Sequence, residues 1–118
     1  IEKDSFYKEA GPGKLKITYW ANVNQPNSRN VFHAHKQKHF SAVYYLQAEG
    51  TGGLRFVNPA NLLTDCNVDA PFVRDFTFQP EAGDLVMWPS WMPHEVEPNT
   101  SNTERINLVF DITVENNV

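Results

Sequence analysis

The sequence predicts an all-β domain, a sandwich or barrel of short strands joined in jelly-roll order. Three observations predict it. Short runs rich in Val, Ile, Thr, Tyr, Phe and Trp alternate in hydrophobicity with a period of two. Clusters of Gly, Pro and Asn separate those runs. Aromatic residues make up 13% of the chain, which favours sheet over helix. Residues 2–9 alone have spacing that a helix could use.

Gly11-Pro12-Gly13 breaks the chain after a polar opening, and residues 15–21 alternate as a strand. Residues 22–28, rich in Asn with Pro26, read as a turn or loop. Residues 31–35 form a short strand, and residues 40–47 a longer one whose Val43, Tyr44, Tyr45 and Leu46 suit burial on both faces. Gly50-Thr51-Gly52-Gly53 turns the chain into a brief strand over 54–57, which ends at Asn58-Pro59. Residues 60–71 read as an irregular excursion, and 72–79 as a strand with Phe72, Phe76 and Phe78 on one face. After the turn at 80–84 come a strand over 85–88 and the segment Pro89-Ser90-Trp91-Met92-Pro93 leading to His94. Residues 105–114 close the pattern, with Ile106, Leu108, Phe110 and Ile112 alternating against Asn107, Val109 and Asp111. Seven or eight strands in one domain over 1–118 are therefore expected.

At 118 residues the chain fits one modest core. A net charge of -4 offers no field for nucleic acid or an anionic membrane, and no apolar run is long enough to span a bilayer. Lys36-Gln37-Lys38-His39 is the only dense basic patch and reads first as a solvated loop. Cys66 stands alone, so no internal disulfide forms, which leans towards a reducing compartment and an expected cytoplasmic location. Because the chain begins at Ile1 with no leader segment, a fragment of a somewhat longer protein, lacking N-terminal elements of the fold, is expected.

Chemistry concentrates in four residues. His33 and His35 stand at i and i+2, which on a strand puts both imidazoles on one face, roughly 6–7 Å apart along the backbone. They can share one metal, with His94 as the third ligand from a distant strand. Arg105, eleven residues further on, follows a turn at 99–102 and suits a carboxylate through its planar fork. The plain alternatives are surface histidines on an edge strand, a His94 satisfied by backbone groups, and an Arg105 paired with Glu97 or Glu104 in solvent. Asp65, Asp69 or His39 are further candidate ligands. The face of Arg105 also carries Asn107 and Asp111, so it fronts either solvent or a pocket. Tyr44 and Tyr45 point to opposite faces, so at most one of them can enter that pocket, and sheet packing is the plainer reading of each. Trp88 and Trp91 read as core and rim, and Gly53 and Gly83 as turn residues, because no helix follows to make a phosphate site.

From Trp20 onward the chain resembles the iron(II)- and 2-oxoglutarate-dependent dioxygenases, in particular a short branch found in marine phages and bacteria. The segments that carry the resemblance, in order, are Trp20-Ala21-Asn22-Val23-Asn24, His33-Ala34-His35, Ser41-Ala42-Val43-Tyr44-Tyr45-Leu46, Gly52-Gly53-Leu54-Arg55-Phe56, the stretch 80–99 through His94, and Glu104-Arg105-Ile106-Asn107. The resemblance implies a double-stranded β-helix, a distorted jelly roll, with His33 as first and His94 as last iron ligand. It further implies that Arg105 holds the distal carboxylate of 2-oxoglutarate; Asn107, on the same face, can lend that carboxylate a further hydrogen bond, and Tyr45 is a candidate contact to the keto acid. Most such enzymes carry Asp or Glu where this chain has His35, so the expected ligand set is His33, His35 and His94. The implied activity is hydroxylation of an unidentified substrate with dioxygen, Fe(II) and 2-oxoglutarate; no nucleic acid or membrane partner is expected, and a homodimer stays open. Two other readings compete, a cupin-type three-histidine dioxygenase and a non-catalytic jelly-roll binding module. Cupins usually place a Glu shortly after the histidine pair, where this chain has residues 36–40, and Arg105 favours the keto-acid enzyme.

Overall fold

The computed structural model describes residues 4–10, 13–34, 37–59 and 75–116. The described residues form strands β1 (Asp4–Ala10), β2 (Gly13–Asn24), β3 (Asn30–His33), β4 (Phe40–Gln47), β5 (Leu54–Val57), β6 (Asp75–Phe78), β7 (Leu85–Pro89), β8 (His94–Val96) and β9 (Arg105–Asn116). They pair antiparallel in two sheets, one ordered β1-β2-β9-β4-β7 and the other β3-β8-β5-β6. This is the all-β double-stranded β-helix expected from the sequence. From β2 to β5 and from β6 to β9 the chain alternates between the two sheets, which is how sequence-distant residues converge between them.

The helical spacing at 2–9 does not produce a helix. Residues 4–10 form β1, in register with β2 from Asp4 opposite Tyr19 to Ala10 opposite Gly13. A long pairing partner outweighs a weak local preference. The turn expected over 22–28 starts later, because Asn22 and Asn24 extend β2 and face Asn107 and Arg105 of β9. The chain reverses at Pro26 and Asn27, where Asn27 takes φ 71°, a conformation Asn tolerates. The strand expected over 31–35 ends at His33. Of the expected strand over 72–79, the described part is β6, while residues 60–74, with Asp65, Cys66 and Asp69, lie outside the described residues.

The core lies between the sheets. Val43 and Tyr45 of β4, Ala48, Leu54 of β5 and Trp88 of β7 are buried there, with Phe56, Phe78, Val86, Met92, Val96 and Val109 packed around them. The inner face of β9 is polar: Arg105, Asn107 and Asp111 are buried, and the apolar Ile106, Leu108, Phe110 and Ile112 are only half-buried on the outer face. The polar stripe of β9 is therefore interior and not a solvent face, and of its polar residues Asn107 lines a cavity.

Candidate metal and anion site

Register arranges the interior in layers. Arg105 stands opposite Asn24, Asn107 opposite Asn22 and Tyr45, and Val109 opposite Trp20 and Val43. From the other sheet, Leu54 pairs with Val96, and His94 pairs with Phe56 on one side and His33 on the other. A cavity of about 430 Å³ runs between these layers, walled by Trp20, Asn22, Val43, Tyr45, His94 and Asn107 among others. That volume is within the range of small-molecule sites.

His94 opens β8 and is 3% exposed. Its Nδ1 lies 3.0 Å from the Met92 carbonyl oxygen, which can only accept, so Nδ1 carries the proton and donates it. The lone pair is then on Nε2, the nitrogen a metal would use. The ring is held edge-on by Trp88 at 5.0 Å and flanked by Phe56 at 6.2 Å between centroids. His33 occupies the position directly across the strand pair from His94. His35 lies outside the described residues. Among the described residues no three His, Cys, Asp or Glu side chains gather as a metal site. His39 is committed elsewhere, since its Nδ1 accepts the Val114 amide at 2.9 Å.

Arg105 is 1% exposed, and no carboxylate neutralises it among the described residues. The expected solvent pairings are absent: Glu97 accepts the Gly53 amide through Oε2, and Glu104 accepts the Gln25 side-chain amide. Arg105 instead donates Nη1–H to the Thr51 carbonyl at 2.5 Å and to the Glu97 carbonyl at 3.4 Å. Its Nε and Nη2 are buried without a hydrogen-bond partner, as is Oδ1 of the adjacent Asn107. Nε and Nη2 form one edge of the guanidinium, the edge that grips a carboxylate with two parallel bonds. An unpaired buried cation costs several kcal/mol, so this geometry fits an anion bound from outside the chain. Burial lowers the pKa of Arg105 from its ordinary value, and Tyr45 partly offsets the shift. Burial pushes the Tyr45 phenol up to about 12, with Arg105 pulling the other way. The phenol is accordingly neutral throughout the range where enzymes work.

The chain matches the family described as "Putative 2OG-Fe(II) oxygenase" over residues 18–111. The chain belongs to this 2OG-Fe(II) oxygenase family. No curated protein matches it. Among solved structures it is similar to a Pseudomonas putida prolyl-4-hydroxylase, with 24% identity and a TM-score of 0.62 over 82% of this chain and 52% of that one. It is similar to an oxidoreductase of the 2OG-Fe(II) oxygenase family from Burkholderia pseudomallei, with 19% identity and a TM-score of 0.58 over 96% of this chain and 47% of that one. A cupin domain from Bordetella pertussis shares the fold at 19% identity and a TM-score of 0.50, over 94% of this chain and 93% of that one. The chain thus spans about half the length of the two oxygenase structures.

For a 2OG-Fe(II) oxygenase, the residues that the sequence marks divide clearly. Tyr45 and not Tyr44 faces the interior, with Asn107 and His94 on the same cavity wall. Arg105 lies one register step beyond Asn107, behind that wall. Trp88 is core and Trp91 is exposed, as expected. Gly53 is needed for close approach, since a Cβ there would stand 2.5 Å from Thr77 Cγ2. Gly52, at φ +102°, matters more to the site: a Cβ would meet the Glu97 and Pro98 carbonyls at 2.7 Å and Arg105 Nη1 at 3.2 Å. Sequence reasoning missed Asn22, Asn24, Arg29 and the Thr51 carbonyl. Polar residues two apart at 22 and 24, the same period seen at 105 and 107, were the available signal.

Proposed function

We propose that this chain is the catalytic core of an Fe(II)- and 2-oxoglutarate-dependent oxygenase that hydroxylates its substrate, of the short branch found in marine phages and bacteria. The observation that carries the reading is the buried Arg105, whose carboxylate-gripping edge has no partner among the described residues. Neither a cupin-type dioxygenase without cosubstrate nor an inactive module needs such a group.

His33, His35 and His94 would hold the metal, and Arg105, Asn107 and Tyr45 the far carboxylate of the keto acid. Bound iron would supply the oxidising power that turns a C–H bond into C–OH at the expense of 2-oxoglutarate and dioxygen. The chain's own part is orientation and exclusion. The Met92 carbonyl fixes the tautomer and tilt of His94, and Trp88 and Phe56 stop the ring from rotating. The Thr51 carbonyl pins one end of the guanidinium, so its open edge stays aimed without reorganisation when an anion arrives. Tyr45 keeps its proton and stands as a neutral hydrogen-bond donor beside that anion. Val43, Leu54, Val96 and Val109 make the cavity wall between the two ends apolar and keep water from the reacting centre. Three neutral histidines leave the metal more positive than a set with one carboxylate, which strengthens attraction for a dianionic keto acid.

Calorimetric titration of 2-oxoglutarate into the Mn(II)-loaded protein tests this. Saturable binding that disappears when the distal carboxylate is esterified is expected. Equal binding of acid and ester removes the role given to Arg105.

A further inference from the structure

Arg105 stands behind the cavity wall, and a different cation lines the cavity itself. Arg29, in the link between β2 and β3, lines the same cavity as Trp20, Asn22, Asn30, Val31 and His94. It is exposed at the lip and makes no hydrogen bond or ion pair with the described residues. No Asp or Glu is among the lining residues, so nothing on the wall neutralises it. The link crosses from one sheet to the other, and its ends are tied: the Asn27 amide donates to the Asn99 carbonyl at 2.6 Å, and the Asn99 amide to the Ser28 carbonyl at 3.0 Å. Arg29 therefore projects from an anchored backbone and not from a loose loop.

Resting on the function proposed above, we infer that Arg29, flanked by Asn22 and Asn30, is a second anion subsite, and that the substrate to be oxidised carries a carboxylate or phosphate group. Three considerations lead there. The keto acid uses Arg105 at one end and the metal at the other, which leaves Arg29 for a different anion. The cavity holds about 430 Å³. A five-carbon diacid displaces on the order of 200 Å³, judged against about 30 Å³ per water, so space remains for part of a second molecule. The lining shared by Arg29 and His94 includes Trp20, Val31 and Val96, which suit an apolar body bearing one charged end. Arginine presents the same fork to either oxyanion.

The test uses phenylacetate and phenyl phosphate as anionic probes and phenylacetamide as their neutral counterpart, each titrated by ligand-observed NMR first into the protein without metal or cosubstrate, then with Zn(II) and saturating 2-oxoglutarate. At least one anionic probe should bind about fivefold more tightly than the amide, the upper end for a solvent-exposed ion pair. Arg29→Gln should remove that preference while changing 2-oxoglutarate affinity less than twofold. Equal binding of the anions and the amide overturns the inference, as does a preference that survives in Arg29→Gln. A loss of 2-oxoglutarate affinity in Arg29→Gln assigns Arg29 to the cosubstrate and equally overturns it. If wild-type protein fails to bind 2-oxoglutarate, the proposed function falls, and the probe comparison without metal or cosubstrate still decides whether Arg29 reads anions. A preference for phenyl phosphate over phenylacetate, or the reverse, names which oxyanion the substrate bears.

Discussion

Replacing Arg105 by Met separates a ligand-binding arginine from a structural one. The side chain is 1% exposed, and its protein contacts are the carbonyls of Thr51 at 2.5 Å and Glu97 at 3.4 Å. Met fills similar space without charge. Losing the shorter bond leaves a buried carbonyl unpaired, at about 1–3 kcal/mol. Removing a buried cation with no counter-charge releases a desolvation penalty of several kcal/mol. These oppose one another, so the melting temperature of the ligand-free variant should stay within about 5 °C of wild type. Binding behaves differently, because a carboxylate delivered to that site loses its partner at a cost of roughly 2–5 kcal/mol, a factor of about 30 to several thousand in Kd. In wild type, 2-oxoglutarate at a hundred times its Kd adds about 2.7 kcal/mol of stability, and in the variant at that concentration it should add less than about 0.9 kcal/mol. Thermal melts with and without 2-oxoglutarate, paired with calorimetry, read both quantities. A variant that unfolds outright, or that retains wild-type affinity for the keto acid, refutes the reasoning.

Three further outcomes are expected. His94→Ala should lower metal affinity by at least about tenfold, measured by competition with a chelator, because it removes a ligand while its neighbours remain packed; unchanged affinity would exclude His94 as a ligand. Tyr45 has a folded pKa of about 12, above its ordinary value of 10.0, so the native state retains a proton that the unfolded chain releases. Its contribution is complete below about pH 10 and declines as pH rises towards 12, by on the order of 2 kcal/mol; urea unfolding across that range should fall more steeply for wild type than for Tyr45→Phe. Gly52→Ala should destabilise the fold by about 2–4 kcal/mol in denaturant titration, since φ +102° and two carbonyls at 2.7 Å both reject a Cβ.

Much of the fold is legible in the sequence where burial and alternation agree. The bounds of β4 and β5 coincide with the runs at 40–47 and 54–57, because Val43, Tyr45 and Leu54 combine strand-forming side chains with deep burial. Legibility fails where the interior is polar. Asn22 and Asn24 look like loop residues because asparagine favours turns, yet they extend β2 so as to face Asn107 and Arg105 across the site. In β9 the apolar alternation of Ile106 to Ile112 marks the outer face, and the buried face is the polar one. A hydrophobic pattern locates a strand, but cannot say which of its faces is inside when the inside is a binding site. The weak spacing at 2–9 gave way to pairing with β2, which local sequence does not encode. Within the site, His94 and Arg105 carry chemistry that is visible residue by residue. The Thr51 carbonyl that pins Arg105 is backbone, present at every position, and only the fold makes it particular.

The central claim, that this chain binds iron and 2-oxoglutarate together in one cavity, is tested most directly by anaerobic absorption spectroscopy. Adding 2-oxoglutarate to the Fe(II)-loaded protein should produce the weak visible charge-transfer band of a keto acid chelated to iron. The band should be lost in His94→Ala and should need far higher 2-oxoglutarate in Arg105→Met. An Fe(II)-loaded wild-type protein whose visible spectrum does not change at saturating 2-oxoglutarate would contradict the account.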